Sequence, residues 1–222
     1  MWQQSVEKIE ARIDDYVVRG LRPFVTSSFQ THSIPLLHIV SRIDNSIPVY
    51  FLDTGFHFAE TREFRDQIAR RLRLELINIQ SPIAKLAQKD SEDRFLFASD
   101  PDQCCFMNKV LPLEPLFRSY GVWITGVRRD QTRFRADLRD EVTGQYGTLK
   151  YHPMLDWTSK MVRDYCKTHD LPEHPLESQG YFSVGCMPCT RGWDERDNTR
   201  DGRWSGMNKE ECGIHSDFTT QS

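Results

Sequence analysis

No run of apolar residues in this chain of 222 residues is long enough to span a bilayer. The N-terminal stretch MWQQSVEKIEARIDDYVVRG also lacks the uninterrupted apolar core of a signal peptide. A large net charge is missing too. The formal balance is −3, which argues against bulk electrostatic binding to nucleic acid and leaves room only for local basic patches. Internal repeats and low-complexity tracts are absent. These gaps leave a soluble globular chain with the cytoplasm as its expected location, no membrane partner and no nucleic-acid partner.

What is present is ordinary in bulk. Hydrophobic residues make up 38% and charged residues 27%, and the length suffices for one sizeable core. Trp2, Val6, Ile9, Ile13 and Val17 recur at helical spacing, so the N-terminus reads as an amphipathic helix ending near Gly20. PFVTSSF (23–29), IPVYFLDT (47–54), LELINI (74–79) and VWITGV (122–127) read as strands. Helical spacing lies between them, through Leu36, Leu37, Ile39 and Val40, then Phe64, Ile68 and Leu72, and again over 158–169. Strands alternating with helices predict an α/β fold, a mostly parallel sheet with helices on both faces. Ligands gather at the carboxyl ends of such strands, and here TSSF, LDTG and TGVRR mark those ends as one cleft. Residues 1–171 read as the α/β domain. From 172 to 222 prolines, glycines and charges dominate, and the segment reads as an irregular C-terminal tail.

Six cysteines in a reducing compartment point to ligands, nucleophiles or packing groups rather than disulfides. Cys186 and Cys189 form a C-x-x-C loop, which lets two thiolates converge on one metal centre. Cys104 and Cys105 are adjacent. Neighbouring thiols bite poorly on one tetrahedral zinc, whereas a 4Fe–4S cluster offers each thiolate its own iron. The four cysteines therefore favour a cluster over zinc. Cys166 follows Trp157, Met161 and Val162 on an apolar helix face and reads as packing. Cys212 stands alone in KEECGIH, with Lys209 and His215 near it and Arg200 and Arg203 upstream. Cationic neighbours favour the thiolate, the reactive form of a thiol.

The motifs TSSF, FLDTGFHFAET, DPDQCCFMNKVLPLEPL, WITGVRRDQTRFRADL, HPMLDWT, GYFSVGCMPCT and GRWSGMNKEECGIH follow in that order from about residue 25 to His215. In order and spacing the sequence resembles the assimilatory phosphosulfate reductases, which reduce adenylyl sulfate (APS) or its 3′-phosphorylated form (PAPS) to sulfite. The resemblance implies an adenine-nucleotide-binding α/β fold. Family members with both cysteine pairs bind a 4Fe–4S cluster and mostly use APS, so it also implies Cys104, Cys105, Cys186 and Cys189 as ligands and APS as substrate. Cys212 corresponds to the family nucleophile, and Lys109 to a lysine between cluster and substrate. Arg200, Arg203 and His215 correspond to groups on the phosphosulfate. Ser27, Ser28, Leu52, Thr54, Arg128, Arg129 and Arg135 lie where the family binds the nucleotide. Two positions depart from the family pattern: Gln30 stands where a glycine usually begins the loop, and Asn108 where arginine is common.

The implied reaction is attack of the Cys212 thiolate on the APS sulfur, leaving S-sulfocysteine, followed by release of sulfite to a thioredoxin or glutaredoxin dithiol. Rival readings are a PAPS or dual APS/PAPS reductase and, from another class, a zinc-stabilised nucleic-acid-binding module using the arginine run. A pyrophosphatase of related fold is disfavoured, because TSSFQTHS lacks the paired glycines that cradle pyrophosphate. Assembly into a homo-oligomer is left open.

Overall fold

The computed structural model describes residues 2–192, 202–204 and 213–216. Its centre is one six-stranded sheet. In chain order the elements are α1 (Trp2–Val18), β1 (Pro23–Thr26), α2 (Ile34–Ile43), β2 (Val49–Leu52), α3 (Ala59–Leu72), β3 (Leu76–Ile79), α4 (Leu96–Ser99), α5 (Pro101–Cys105), α6 (Glu114–Ser119), β4 (Val122–Thr125), α7 (Arg133–Ala136), β5 (Glu141–Thr143), β6 (Leu149–Tyr151) and α8 (Ser159–Thr168). The sheet order is β3-β2-β1-β4-β6-β5, parallel throughout except for the antiparallel edge strand β5. Among the described residues no helix is long and apolar enough to cross a membrane.

Alternation along the strands explains the layering. Neighbouring residues of a strand face opposite sides of a sheet. Val25, Phe51 and Ile124 enter a core shared with α1, α2, α3 and α8, while Phe24, Tyr50 and Trp123 pack with Val110, Leu113 and Phe117 on the other side. Both sides are apolar, so the strands read as continuous hydrophobic runs, as buried parallel strands do.

Two details differ from the sequence reading. The buried face of α1 runs Ile9, Ile13, Tyr16, and Val17 is 51% exposed. The stripe takes a three-residue step at its end, as a period of 3.6 requires. The hairpin β5–β6 was not expected, because its strands are three residues each and largely polar. Lys150 within it is nonetheless buried, its ammonium 4.6 Å from the centre of the Trp123 ring.

Strand order reverses between β1 and β4. β1 leads outward to β2 and β3, while β4 begins the other half. The carboxyl ends of β1 and β4 lie side by side, Thr26 against Thr125. Chain connections diverge there and leave a crevice.

A strand-end cavity beside four buried thiols

A cavity of about 320 Å³ occupies this crevice. Its floor is the loop after β1. Ser27 accepts the Phe29 backbone N–H at 3.0 Å, closing a short turn, and Phe29 takes a φ of 53° with its ring fully buried against Phe51. A left-handed phenylalanine is costly and persists because burial of the ring holds it. Gln30 reaches across the loop. Its amide donates to Ser28 Oγ at 3.2 Å, and its carbonyl accepts the Val184 backbone N–H at 3.2 Å. The nucleotide loop is thereby bonded to the segment leading into Cys186.

The walls are cationic. Lys109 lines the cavity from Phe106–Val110, a π-helical turn in which the Leu111 N–H reaches back to Phe106 O. Arg128 follows β4 and is 2% exposed. Its Nε donates to Asp130 at 2.9 Å and its Nη2 to Ser159 Oγ at 3.0 Å, while its buried Nη1 has no partner among the described residues. A buried guanidinium N–H facing a cavity is a donor awaiting an acceptor. Arg135 also lines the cavity and bonds Gln131. Arg203 lies with its guanidinium 4.4 Å from the centre of the Trp204 ring and donates to the carbonyls of Cys189 and Val184. A Cβ at Gly185 would meet that guanidinium at 2.4 Å, so only glycine lets Arg203 pass.

The thiols gather at one corner. Cys104 and Cys105 end α5, whose start is capped by the Asp100 carboxylate. Cys186 and Cys189 lie on a loop bonded to the 54–57 turn by a bridge between His57 and Cys186 and by Met187 N–H to Phe56 O at 2.8 Å. All four are at most 9% exposed. Burial raises the Cys104 thiol above its usual range, and Cys186 and Cys189 raise it further, while the Asn108 amide at 3.6 Å opposes them. The pairs are therefore within electrostatic reach of each other. Thr54 Oγ1 accepts the Phe56 N–H at 3.2 Å, so its proton is free for Cys186 Sγ, also at 3.2 Å. Among the described residues no three His, Cys, Asp or Glu side chains converge closely enough to hold a single metal ion. Cys166 sits apart in the main core, its thiol pushed up to about 12 by burial.

The profile of the phosphoadenosine phosphosulfate reductase domain matches residues 22–192. The chain belongs to this family. It is 39% identical over 193 residues to adenosine 5′-phosphosulfate reductase of Salinibacter ruber, covering 86% of this chain and 76% of that protein. It is also 39% identical over 200 residues to the protein of that name from Streptomyces coelicolor, covering 88% and 83%. Its fold is similar to phosphoadenylyl-sulfate reductase of Candida auris, with a TM-score of 0.67 at 21% identity, covering 80% and 87% of the two chains.

Set in the frame of this reductase family, the expected site residues divide. Ser27, Ser28, Leu52, Lys109, Arg128, Arg135 and Arg203 line the cavity, and Cys186 borders it. Thr54 does not line it and bonds Cys186 instead. Arg129 turns outward to Asp156 at 3.0 Å and Asp140 at 3.8 Å. Arg200, Cys212 and the His215 side chain lie outside the described residues. Ile214 lines the cavity, and the short helix Gly213–Ser216 packs against Phe106–Val110, the turn that carries Lys109.

Several lining residues escaped the sequence reading: His57, Asp130, Gln131, Ser159, Arg163 and Glu177. His57 Nε2 donates to Leu52 O at 2.9 Å, which fixes the tautomer, and its buried Nδ1 has no partner among the described residues. Burial lowers its pKa to about 4, helped by Lys109, so the ring is neutral. Asp130 lay within the RRDQ run already singled out, but Glu177 carried no local signal.

Proposed function

We propose that this chain reduces adenosine 5′-phosphosulfate to sulfite and AMP with electrons from an external dithiol of the thioredoxin or glutaredoxin kind. One observation carries the reading: a cationic strand-end cavity that opens directly onto four buried thiols. Paired arginines suit an anhydride of phosphate and sulfate, because each guanidinium bonds two oxygens at once. The names of the bacterial relatives support the same substrate.

The residues divide the work. Ser27, Ser28 and Leu52 face the adenosine, and Arg128 and Arg135 close the nucleotide end. Arg129 and Thr54 act from outside the cavity, Arg129 by bracing the loop and Thr54 by holding Cys186. Lys109 and Arg203, with Arg200 and His215, neutralise the phosphosulfate. The Cys212 thiolate attacks the sulfur, an S–S bond forms, the S–O bond to phosphate breaks, and AMP leaves. A donor thiol then attacks Cys212 Sγ, sulfite departs, and a mixed disulfide remains until the donor's second thiol resolves it. The part that binds nucleotide is 1–171, and 172–222 brings the C-x-x-C loop and the nucleophile.

Cys104, Cys105, Cys186 and Cys189 fit a 4Fe–4S cluster. Thiols gathered at one corner, but not on one point, suit a group with several irons, and hydrogen bonds from Thr54 and Asn108 suit thiolate sulfur. When bound, the cluster would cross-link the Cys186 loop to the end of α5 and set the electrostatic surroundings of Lys109. The test is iron and sulfide analysis of anaerobically purified protein with an APS-dependent sulfite assay. The expected result is iron, sulfide and turnover together, with Cys212→Ser inactive yet still binding APS. Turnover by Cys212→Ser, or no sulfonate mass on the Cys212 peptide trapped without donor, defeats the reading.

A further inference from the structure

Two carboxylates line a cavity that is otherwise built for an anion, Asp130 and Glu177. Asp130 is fully engaged. Its oxygens take Arg128 Nε and Nη2 and both the backbone N–H and the hydroxyl of Ser159. Glu177 is not. Thr31 Oγ1 accepts the His174 backbone N–H at 2.9 Å, so its single proton goes to Glu177 Oε2. Glu177 Oε1 takes no bond from any described residue.

A carboxylate oxygen only accepts, so its partner must donate. In an adenylate the donors are the ribose hydroxyls and the adenine amino group, whereas the phosphosulfate offers none. Glu177 sits on the turn Pro175–Gln179, packed against α3 and tied to Thr31 of the loop after β1. That wall is distinct from the thiol corner, where Lys109 and Arg203 stand. Arg163, on α8, also lines the cavity and acts electrostatically on Glu177.

We infer that Glu177 selects 5′-adenylates with a free ribose diol, accepting a ribose hydroxyl and repelling a phosphate in its place. This rests on the adenylate reading above. It makes Glu177 a specificity residue rather than only a pin for the loop. Without its charge, Arg163 becomes available to a ribose phosphate.

The test compares AMP with adenosine 3′,5′-bisphosphate by titration calorimetry on the holoprotein, with APS and PAPS turnover alongside. The wild type is expected to prefer AMP by about tenfold or more, the order expected of one like-charge contact at a part-wetted site. Glu177→Gln shrinks that ratio by about tenfold, while Glu177→Asp keeps most of it. Thr31→Val removes the pin but keeps the charge, so its ratio stays within about twofold of wild type. An unchanged ratio in Glu177→Gln, an equal shift in Thr31→Val, a loss of preference in Glu177→Asp, or a wild type without preference overturns the inference. Nucleotide discrimination in the absence of APS turnover would sink the proposed activity and leave this inference standing.

Discussion

The core under α1, α2 and α8 and the corner that carries the C-x-x-C loop are held by opposite means. In the core Ile13, Val25, Phe29, Leu37, Val49 and Val162 are wholly buried, and aromatic rings add edge contacts such as Trp157 on Tyr165 at 5.5 Å. Apolar burial at about 25 cal/mol per Å² is enough to account for its order. At the corner only Cys186, Cys189 and Trp204 are buried together, with Phe56 beside them. The rest is backbone bonding, such as Trp204 N–H to Cys189 O at 3.1 Å and Arg191 N–H to Gly202 O at 2.9 Å. Exchanging water for such bonds nets only about 1 kcal/mol each. A thin corner of this kind needs a cross-link that the core does not, and four thiols are the groups placed to supply one.

The largest expected effect sharpens this contrast. Cys189→Ser should lose iron and sulfite production together, while the main melting transition followed by circular dichroism barely moves. A core that melts with the corner would erase the distinction. The converse change is Trp157→Ala, which should cost about 3–5 kcal/mol in urea unfolding and leave the iron content per folded molecule unchanged.

Acidification should act on the core next. His152 and His174 are 1% and 2% exposed, and burial lowers their pKa values to about 3 and about 4. His174 Nδ1 accepts the Leu176 N–H at 3.2 Å, so its Nε2 proton goes to Thr61 at 3.0 Å and the ring is held neutral. The unfolded chain takes up protons near pH 6.5 that the folded chain refuses. Their contribution is therefore whole above that pH and is lost as the pH falls toward 4 and 3, on the order of a few kcal/mol in total. Denaturant melts across this range should show the decline, flattened in His174→Gln.

Gly185→Ala should displace Arg203 and raise the KM for APS about tenfold with little change in stability, because the clash falls on the far end of a flexible side chain. The smallest effect is expected of Thr54→Val, which removes one hydrogen bond to Cys186 and should cost about 1 kcal/mol, read as earlier loss of iron on titration with chelator.

Much of this was legible before the fold was seen. The apolar pairs Phe24–Val25, Tyr50–Phe51 and Trp123–Ile124 announce a sheet buried on both faces, and polar residues directly after each run mark the strand ends. Local pattern failed where one residue's direction mattered. Arg128 and Arg129 are neighbours of identical chemistry, yet one faces the cavity at 2% exposure and the other reaches Asp156 at the surface. The turn after β4 sorts them, and no periodicity encodes that turn.

The sequence by itself determined what depends on near neighbours: a two-faced parallel sheet, its polar strand ends, and two cysteine pairs whose spacing points to one inorganic centre. Tertiary structure alone decided which cations face the cavity, that Gln30 bonds the Cys186 segment, and that Glu177 meets Thr31 across 146 residues of chain. The reason is physical. Strand and helix periods are set by backbone geometry over a few residues, whereas the meeting of two loops depends on how whole layers pack.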